Sequence, residues 1–436
     1  MKAMRVGFVV ALCAATAAPA GALGNFNSAI VSGVTIVRQY DSAADLIGTQ
    51  IRLQAGLDRQ LPEQNGLAAL VAESILQTPV AGAPTLRNAI EANGGSIQYD
   101  VDPRAVRFYV EGLPDSYAAI LGMVRTAMSR PDFSAATLTR ARAALDQRIA
   151  QNQEFALAVG LDMLNRTFYP DSDAGLPPLG LPQTLATFET ADAQKFYASY
   201  YLRGGAIVST AGNLQPAASD LVAHLLDLLP PGSSVAPKVN LPQLPSSSRQ
   251  LIARRDIPVP WLIAQYRAPN LNSADFGAML VLTAFLQRTL ADVAGVPALS
   301  ATSLARRGVG AIYNFDTQPA NVVVYVDGAG GDPTRAFATA LTVVNVLGHA
   351  HLQGSIADMK TFAIGQFLNQ SATLRDRAWL AGVFAGECSD PDYISRTIAA
   401  IEKTSAKDLQ RVATRYLGVP NVALVLPRGT PENPSP

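Results

Sequence analysis

Apolar and polar residues alternate through Gln50-Ile51-Arg52-Leu53-Gln54, the period-two pattern of a strand with one buried face. Val34–Arg38 and Ile47–Ala55 therefore predict two strands near the start of the chain. The period then changes. Leu67, Leu70, Val71 and Ile75 recur at helical spacing, which predicts a helix over Leu67–Gln77 packed on a sheet. A second helix is expected at Thr85–Asn93, then a hairpin of Ser96–Val101 and Val106–Glu111 turning at Asp102-Pro103-Arg104. Long helical patterns cover Ser116–Ser129, Ala135–Asn152 and Phe155–Phe168. Thr190–Tyr201 reads as a further helix, Ala206–Thr210 as a strand and Pro216–Leu229 as a last helix.

Proline and serine then dominate Pro230–Ser248, the composition of an extended linker. Beyond it the same order returns. Gln250–Arg255 and Trp261–Arg267 predict strands, Ser273–Ala294 and Leu299–Arg306 helices, and Ala311–Phe315 with Val322–Asp327 a hairpin. Helices follow at Pro333–Gln353, Ile356–Asn369, Leu374–Ala385, Asp392–Glu402 and Ala406–Tyr416, before a closing strand at Val422–Leu426. Asp192 precedes Tyr200 by eight positions and Asp408 precedes Tyr416 by eight, each pair on a helix that feeds a strand. The reading is an α+β protein of two homologous domains, residues 23–229 and 249–436, joined by the linker 230–248. Each domain is expected to be a mostly antiparallel sheet packed with helices.

Composition adds the compartment. Lys2 and Arg5 precede an apolar run from Val6 to about Ala18, and Ala20-Gly21-Ala22 fits a cleavage site, so residues 1–22 read as an export signal. The run is shorter than the ~20 residues that a bilayer requires, and no other segment is apolar for long enough. An exported protein, in the bacterial periplasm, is expected, with no membrane insertion. Without the signal, 34 − 2 = 32 basic residues face 34 acidic ones, a net charge near −2 that gives no reason to expect nucleic acid as a partner. Cys388 is then the only cysteine, which excludes an internal disulfide and reads as a small apolar residue.

Little conventional chemistry is encoded. The three histidines are His224, His349 and His351. His349 and His351 lack a third ligand, with Asp358 the nearest acid downstream, and are expected on the surface. Asp327-Gly328-Ala329-Gly330-Gly331-Asp332-Pro333 lacks the Gly-Lys-Ser/Thr of a phosphate loop and reads as a turn. No Ser-His-Asp or Cys-His arrangement can be built.

One resemblance covers about residues 28–428. It rests on Gly66-Leu67-Ala68-Ala69, Asn93-Gly94-Gly95, Phe168-Tyr169-Pro170 with Gly180-Leu181-Pro182, Leu304-Ala305-Arg306-Arg307-Gly308 and Asp408–Tyr416, in that order and spacing. The chain resembles the pitrilysin/insulinase-type peptidases, in particular their short two-domain branch that includes mitochondrial processing peptidase. An active chain of that kind carries His-x-x-Glu-His on its first long helix and a distal glutamate on a later one. Here the two histidine positions fall on Leu70 and Ser74, Glu73 stands alone, and the distal acid falls near Asp146. Leucine offers no donor atom and serine is a poor zinc ligand, so no zinc and no catalytic residue are expected in this chain. Glu73 is expected to be a solvated or helix-capping carboxylate. The resemblance also implies that Arg306 or Arg307, with Tyr313, approaches a peptide substrate, the alternative being a surface arginine and a half-buried strand tyrosine.

The function implied is that of a non-catalytic subunit of an exported zinc peptidase, holding extended peptide for a homologous partner chain that carries the zinc. A periplasmic peptide-binding or structural homodimer is the alternative, and a metallopeptidase with unusual ligands the third reading.

Overall fold

The computed structural model describes residues 26–169, 172–234, 249–293, 308–316, 319–328, 335, 338 and 356–430. The expected signal at 1–22, most of the linker, the helices expected at Leu299–Arg306 and Pro333–Gln353, and His349 and His351 lie outside the described residues or almost wholly so.

The first half contains β1 (Phe26–Val31), β2 (Val34–Tyr40), β3 (Ile47–Leu53), α1 (Leu67–Leu76), α2 (Leu86–Glu91), β4 (Ser96–Val101) and β5 (Val106–Gly112). It continues with α3 (Pro114–Ser129), α4 (Ala135–Glu154), α5 (Ala156–Phe168), α6 (Pro182–Leu185), α7 (Thr190–Tyr200), β6 (Ile207–Gly212) and α8 (Pro216–Ala223). The second half contains β7 (Gln250–Arg255), β8 (Trp261–Arg267), α9 (Phe276–Val293), β9 (Val309–Asn314) and β10 (Asn321–Asp327). After these come α10 (Ile356–Gln370), α11 (Leu374–Cys388), α12 (Tyr393–Lys403), α13 (Ala406–Tyr416) and β11 (Asn421–Pro427).

The two sheets repeat one topology. The first has the order β1-β2-β6-β3-β5-β4 and the second β7-β11-β8-β10-β9. In each, one parallel pair (β2 with β6, β7 with β11) sits beside antiparallel neighbours. Register carries the repeat to single residues. Gln50 lies opposite Tyr109 and Ser209, and Ile263 lies opposite Tyr325 and Ala423.

β1 is the strand that the sequence pattern missed, as it missed the short helix α6. Its residues run from half-buried to exposed with no alternating period, because an edge strand with little core contact needs no apolar stripe. The helix expected over Pro216–Leu229 stops at Ala223; the chain then turns so that Leu225, Leu226 and Leu229 still enter the core.

Both faces of each sheet are covered, and the second layer is exchanged between the halves. Val34, Ile36, Ile51 and Leu53 face the first core, beside α1. The opposite face of β3, carrying Gly48, Gln50 and Arg52, lies under α11 of the second half. In return α5 of the first half lies on β8, β10 and β11, where Ala156, Val159 and Leu164 meet Ile263, Val323, Tyr325, Ala423 and Val425. Both covering helices make their close approaches at glycines. A Cβ on Gly382 would lie 2.5 Å from Gln50 Oε1, and one on Gly160 would lie 2.7 Å from Ile263 Cδ1. The polar side of the β3 alternation is therefore buried rather than solvated, with Gln50 and Ser209 both inaccessible. Ser209 meets the requirement for a partner by donating to the Ala378 carbonyl at 2.6 Å.

The seam between the halves is closed by charge. Arg107 on β5 pairs with Asp102 at 2.5 Å and with Asp316 of the second half at 3.1 Å, and lies 3.8 Å from Asp100. Burial raises the carboxyls of Asp100 and Asp316, with Arg107 opposing the rise at each. Arg375 on α11 donates to Gln98 at 2.8 Å and stacks 4.2 Å above the Tyr109 ring. Arg377 reaches Asp41 at 2.8 Å.

Candidate functional site

The helix α1 is apolar on nearly every side because it is enclosed on every side: all residues from Leu67 to Leu76 are buried. Leu70 is fully buried in the first core. Ser74 turns its hydroxyl back to its own helix and donates to the Leu70 carbonyl at 2.7 Å. Neither position presents a ligand.

Glu73 departs from the solvated carboxylate that the sequence leads one to expect. Its side chain is fully inaccessible, and a buried carboxylate requires compensation. Gln77 donates to Oε1 at 3.0 Å, Arg87 of α2 approaches Oε1 at 3.5 Å, and Arg148 of α4 approaches Oε2 at 3.7 Å. Arg148 also lies 4.6 Å over the Tyr99 ring. Burial, with Glu73 alongside, raises the Tyr99 hydroxyl well above its usual range.

These residues do not fit a zinc ion. The nearest groups offer one carboxylate and two cationic guanidinium groups, and guanidinium has no lone pair to donate. The positive charge that balances Glu73 comes from arginine. Asp146, expected near the distal ligand position, is exposed on the far side of α4, and Arg148 is the α4 residue that reaches Glu73. Among the described residues, no group of three or more His, Cys, Asp or Glu is placed to hold a metal.

Arg87 and Arg148 are the residues that sequence reasoning missed. A signal for Arg148 was present. Leu138, Ala141 and Leu145 form the buried stripe of α4, and Arg148 continues it at the next helical step. A charge on a stripe that faces another helix calls for a counter-charge there.

Tyr313 is buried more deeply than a half-buried strand residue. Its hydroxyl donates to the Pro269 carbonyl, its ring packs against Phe276 and Phe315, and burial raises it far above the usual tyrosine range. It borders a 370 Å³ cavity beside the edge strand β9, but its hydroxyl is already engaged. Arg306 and Arg307 lie outside the described residues. His224 pairs with Asp227 at 2.7 Å on the surface. No helix among the described residues is long and apolar enough to cross a membrane.

Several solved structures share the architecture. A protease from Helicobacter pylori superposes with a TM-score of 0.75 at 15% identity, over 93% of this chain and 100% of that one. A peptidase M16 inactive domain from Pseudomonas fluorescens gives 0.73 at 16% identity, over 92% and 97%. A chain of complex III2 from Candida albicans gives 0.72 at 13% identity, over 92% and 95%. In sequence, the uncharacterized zinc protease YmxG of Bacillus subtilis is 20% identical over 184 residues, 42% of this chain and 45% of that protein. The chain thus matches less than half the length of this curated relative. No family model matches the chain. Strand order, the paired halves and these superpositions together show that the chain has the two-domain fold of the pitrilysin-type (M16) peptidases.

Proposed function

We propose that this protein is a non-catalytic subunit of an exported zinc peptidase, shaping the chamber and holding extended peptide for a zinc-bearing homologous chain. The observation that carries the reading is the neutralisation of Glu73 by Arg148 and Arg87 beside Leu70 and Ser74. A helix so arranged has no donors with which to activate water. Likeness to an inactive M16 domain and to a chain of a multi-subunit complex supports a role alongside other chains. Peptide holding is assigned to sheet edges, since β4 and β9 each end a sheet and a strand edge accepts extended chain through its backbone groups. Export rests on the pattern of residues 1–22.

The test is co-expression of the full chain with zinc-motif homologues encoded beside it, followed by size measurement, zinc analysis and peptide cleavage. A complex in which zinc and chelator-sensitive cleavage follow the partner supports the reading. A chain that purifies alone as a homodimer, binds peptide and ignores chelator would replace it with the homodimer reading. Stoichiometric zinc in this chain by itself would refute both.

A further inference from the structure

Glu73 needs one positive charge and is given two. Arg87 of α2 stands 3.5 Å from its Oε1 and Arg148 of α4 stands 3.7 Å from its Oε2, and among the described residues each arginine pairs with this acid alone. The three side chains therefore carry a surplus of one positive charge. Both distances exceed the roughly 2.7–2.9 Å of a charge-assisted hydrogen bond, and Oε2 has no hydrogen-bond partner. Neither guanidinium fork is locked onto the carboxylate. Glu73 is fully inaccessible while both arginines stay partly open to solvent, so the surplus charge lies where an ion from solution can reach it.

The arginines are held where they stand. The Arg148 guanidinium lies 4.6 Å over the Tyr99 ring. The Tyr99 hydroxyl donates to the Ala69 carbonyl of α1 at 3.4 Å, which ties the ring to the buried helix. Arg87 sits in the first turn of α2, whose start is capped by Thr85 accepting from the Asn88 N–H at 3.1 Å. A stacked, planar guanidinium loses less freedom on binding than a mobile surface side chain does. Tyr99 belongs to β4, the strand that ends the first sheet, so Arg148 stands beside an edge to which an extended chain can be added.

The pair selects its ligand by charge and shape. Guanidinium offers only donors, in a planar fork that matches the two oxygens of a carboxylate. One surplus charge suits a monoanion, and the Glu73 carboxylate behind the pair repels any further negative charge. A phosphate ester, with nearly two charges at neutral pH, fits less well.

We propose that Arg87 and Arg148 form an anion site for the carboxylate of an extended peptide lying along β4, supplied by its C-terminus or by an acidic side chain. The proposal rests on the peptide-holding role above and names the charge that role selects.

The probes are dansyl-labelled decapeptides of alanine and serine in three forms: a free C-terminal carboxylate, a C-terminal amide, and the amide with one central glutamate. Each is titrated by fluorescence anisotropy, at neutral pH and fixed ionic strength, against the full chain and against Arg148→Lys, Arg87→Met and Glu73→Gln. Thermal melting checks that the variants fold. At least one carboxylate peptide should bind about tenfold or more above the plain amide, and which one does so identifies the source. Arg148→Lys, which keeps the charge and loses the fork, should reduce that preference, as should Arg87→Met. Glu73→Gln removes the repelling charge and should tighten carboxylate binding about threefold or more, which a purely structural ion pair would not do. Equal binding of the three peptides, a preference unchanged by both arginine variants, or carboxylate binding weakened by Glu73→Gln overturns the site. Displacement of peptide by inorganic phosphate but not by acetate at equal concentration overturns it in favour of a phosphate-bearing ligand. The wider function is read separately. Three peptides bound equally leave the role intact and remove only the site, whereas N-acetylglycine bound above N-acetylglycinamide by ligand-observed NMR, with no decapeptide binding, retains the site and removes the role.

Discussion

Arg148→Met tests the account of α1 most directly. The Glu73 side chain is fully buried, whereas those of Arg148 and Arg87 are each 36% exposed. The carboxylate therefore bears most of the desolvation, and the guanidinium groups keep part of their hydration. Removing one partner of a fully buried pair costs about 3–5 kcal/mol, because the remaining charge is left uncompensated. Here Gln77 still donates and Arg87 still stands 3.5 Å away, so the expectation falls to roughly 2 kcal/mol after allowance for solvent screening. Glu73→Gln keeps the shape, removes the buried charge and leaves two arginines that water reaches, at a cost of about 1 kcal/mol or less. The double substitution should then cost less than the sum of the singles by about 1 kcal/mol, the coupling between the two groups. Urea unfolding of the purified chain, followed by circular dichroism at neutral pH, measures all three. A loss for Arg148→Met within about 0.5 kcal/mol of zero, or one smaller than that for Glu73→Gln, would refute the argument that arginine holds this carboxylate in place.

Other outcomes follow from the seam and the turns. Arg107→Met strands Asp102 and Asp316 against each other and should cost about 3–5 kcal/mol, while Asp316→Asn should cost far less, read as melting temperatures of the two variants. Gly382→Ala and Gly160→Ala gain helix propensity yet place a methyl 2.5 and 2.7 Å from the opposing sheet; a loss of about 1–3 kcal/mol in each is expected, and a gain would mean that the exchanged helices are loosely seated. Burial raises the Asp58 carboxyl to about 6, with Arg59 opposing. A carboxyl raised on folding opposes the folded state when ionised, so its penalty is complete above about 6 and absent below about 4, the ordinary aspartate range. Asp58→Asn should therefore add at most about 3 kcal/mol at neutral pH and nothing near pH 4, as measured by denaturant midpoints across that range.

Much of the fold was legible as order. The strand and helix patterns of the two halves ran parallel, and β3, β8 and α13 lie within a residue or two of their expected bounds or overlap them closely. The helix exchange was not legible, because the polar residues of β3 read as solvent-facing until α11 covers them. At the site, the resemblance singled out Leu70 and Ser74 as poor ligand positions and Glu73 as a lone acid. Its burial was not legible, since a single acid within an apolar helix looks the same whether its neighbours are water or arginine.

Local spacing thus determined by itself the order of strands and helices in two related halves, and the resemblance carried by that order picked out Leu70, Glu73 and Ser74 on the first long helix. Periodicity and donor atoms are properties of each segment alone. The tertiary structure decided which half covers which sheet and what balances Glu73. Those depend on groups far apart in sequence: Arg148 and Glu73 meet only when α4 packs against α1, and Asn165 and Gln265 only when α5 docks on the second sheet.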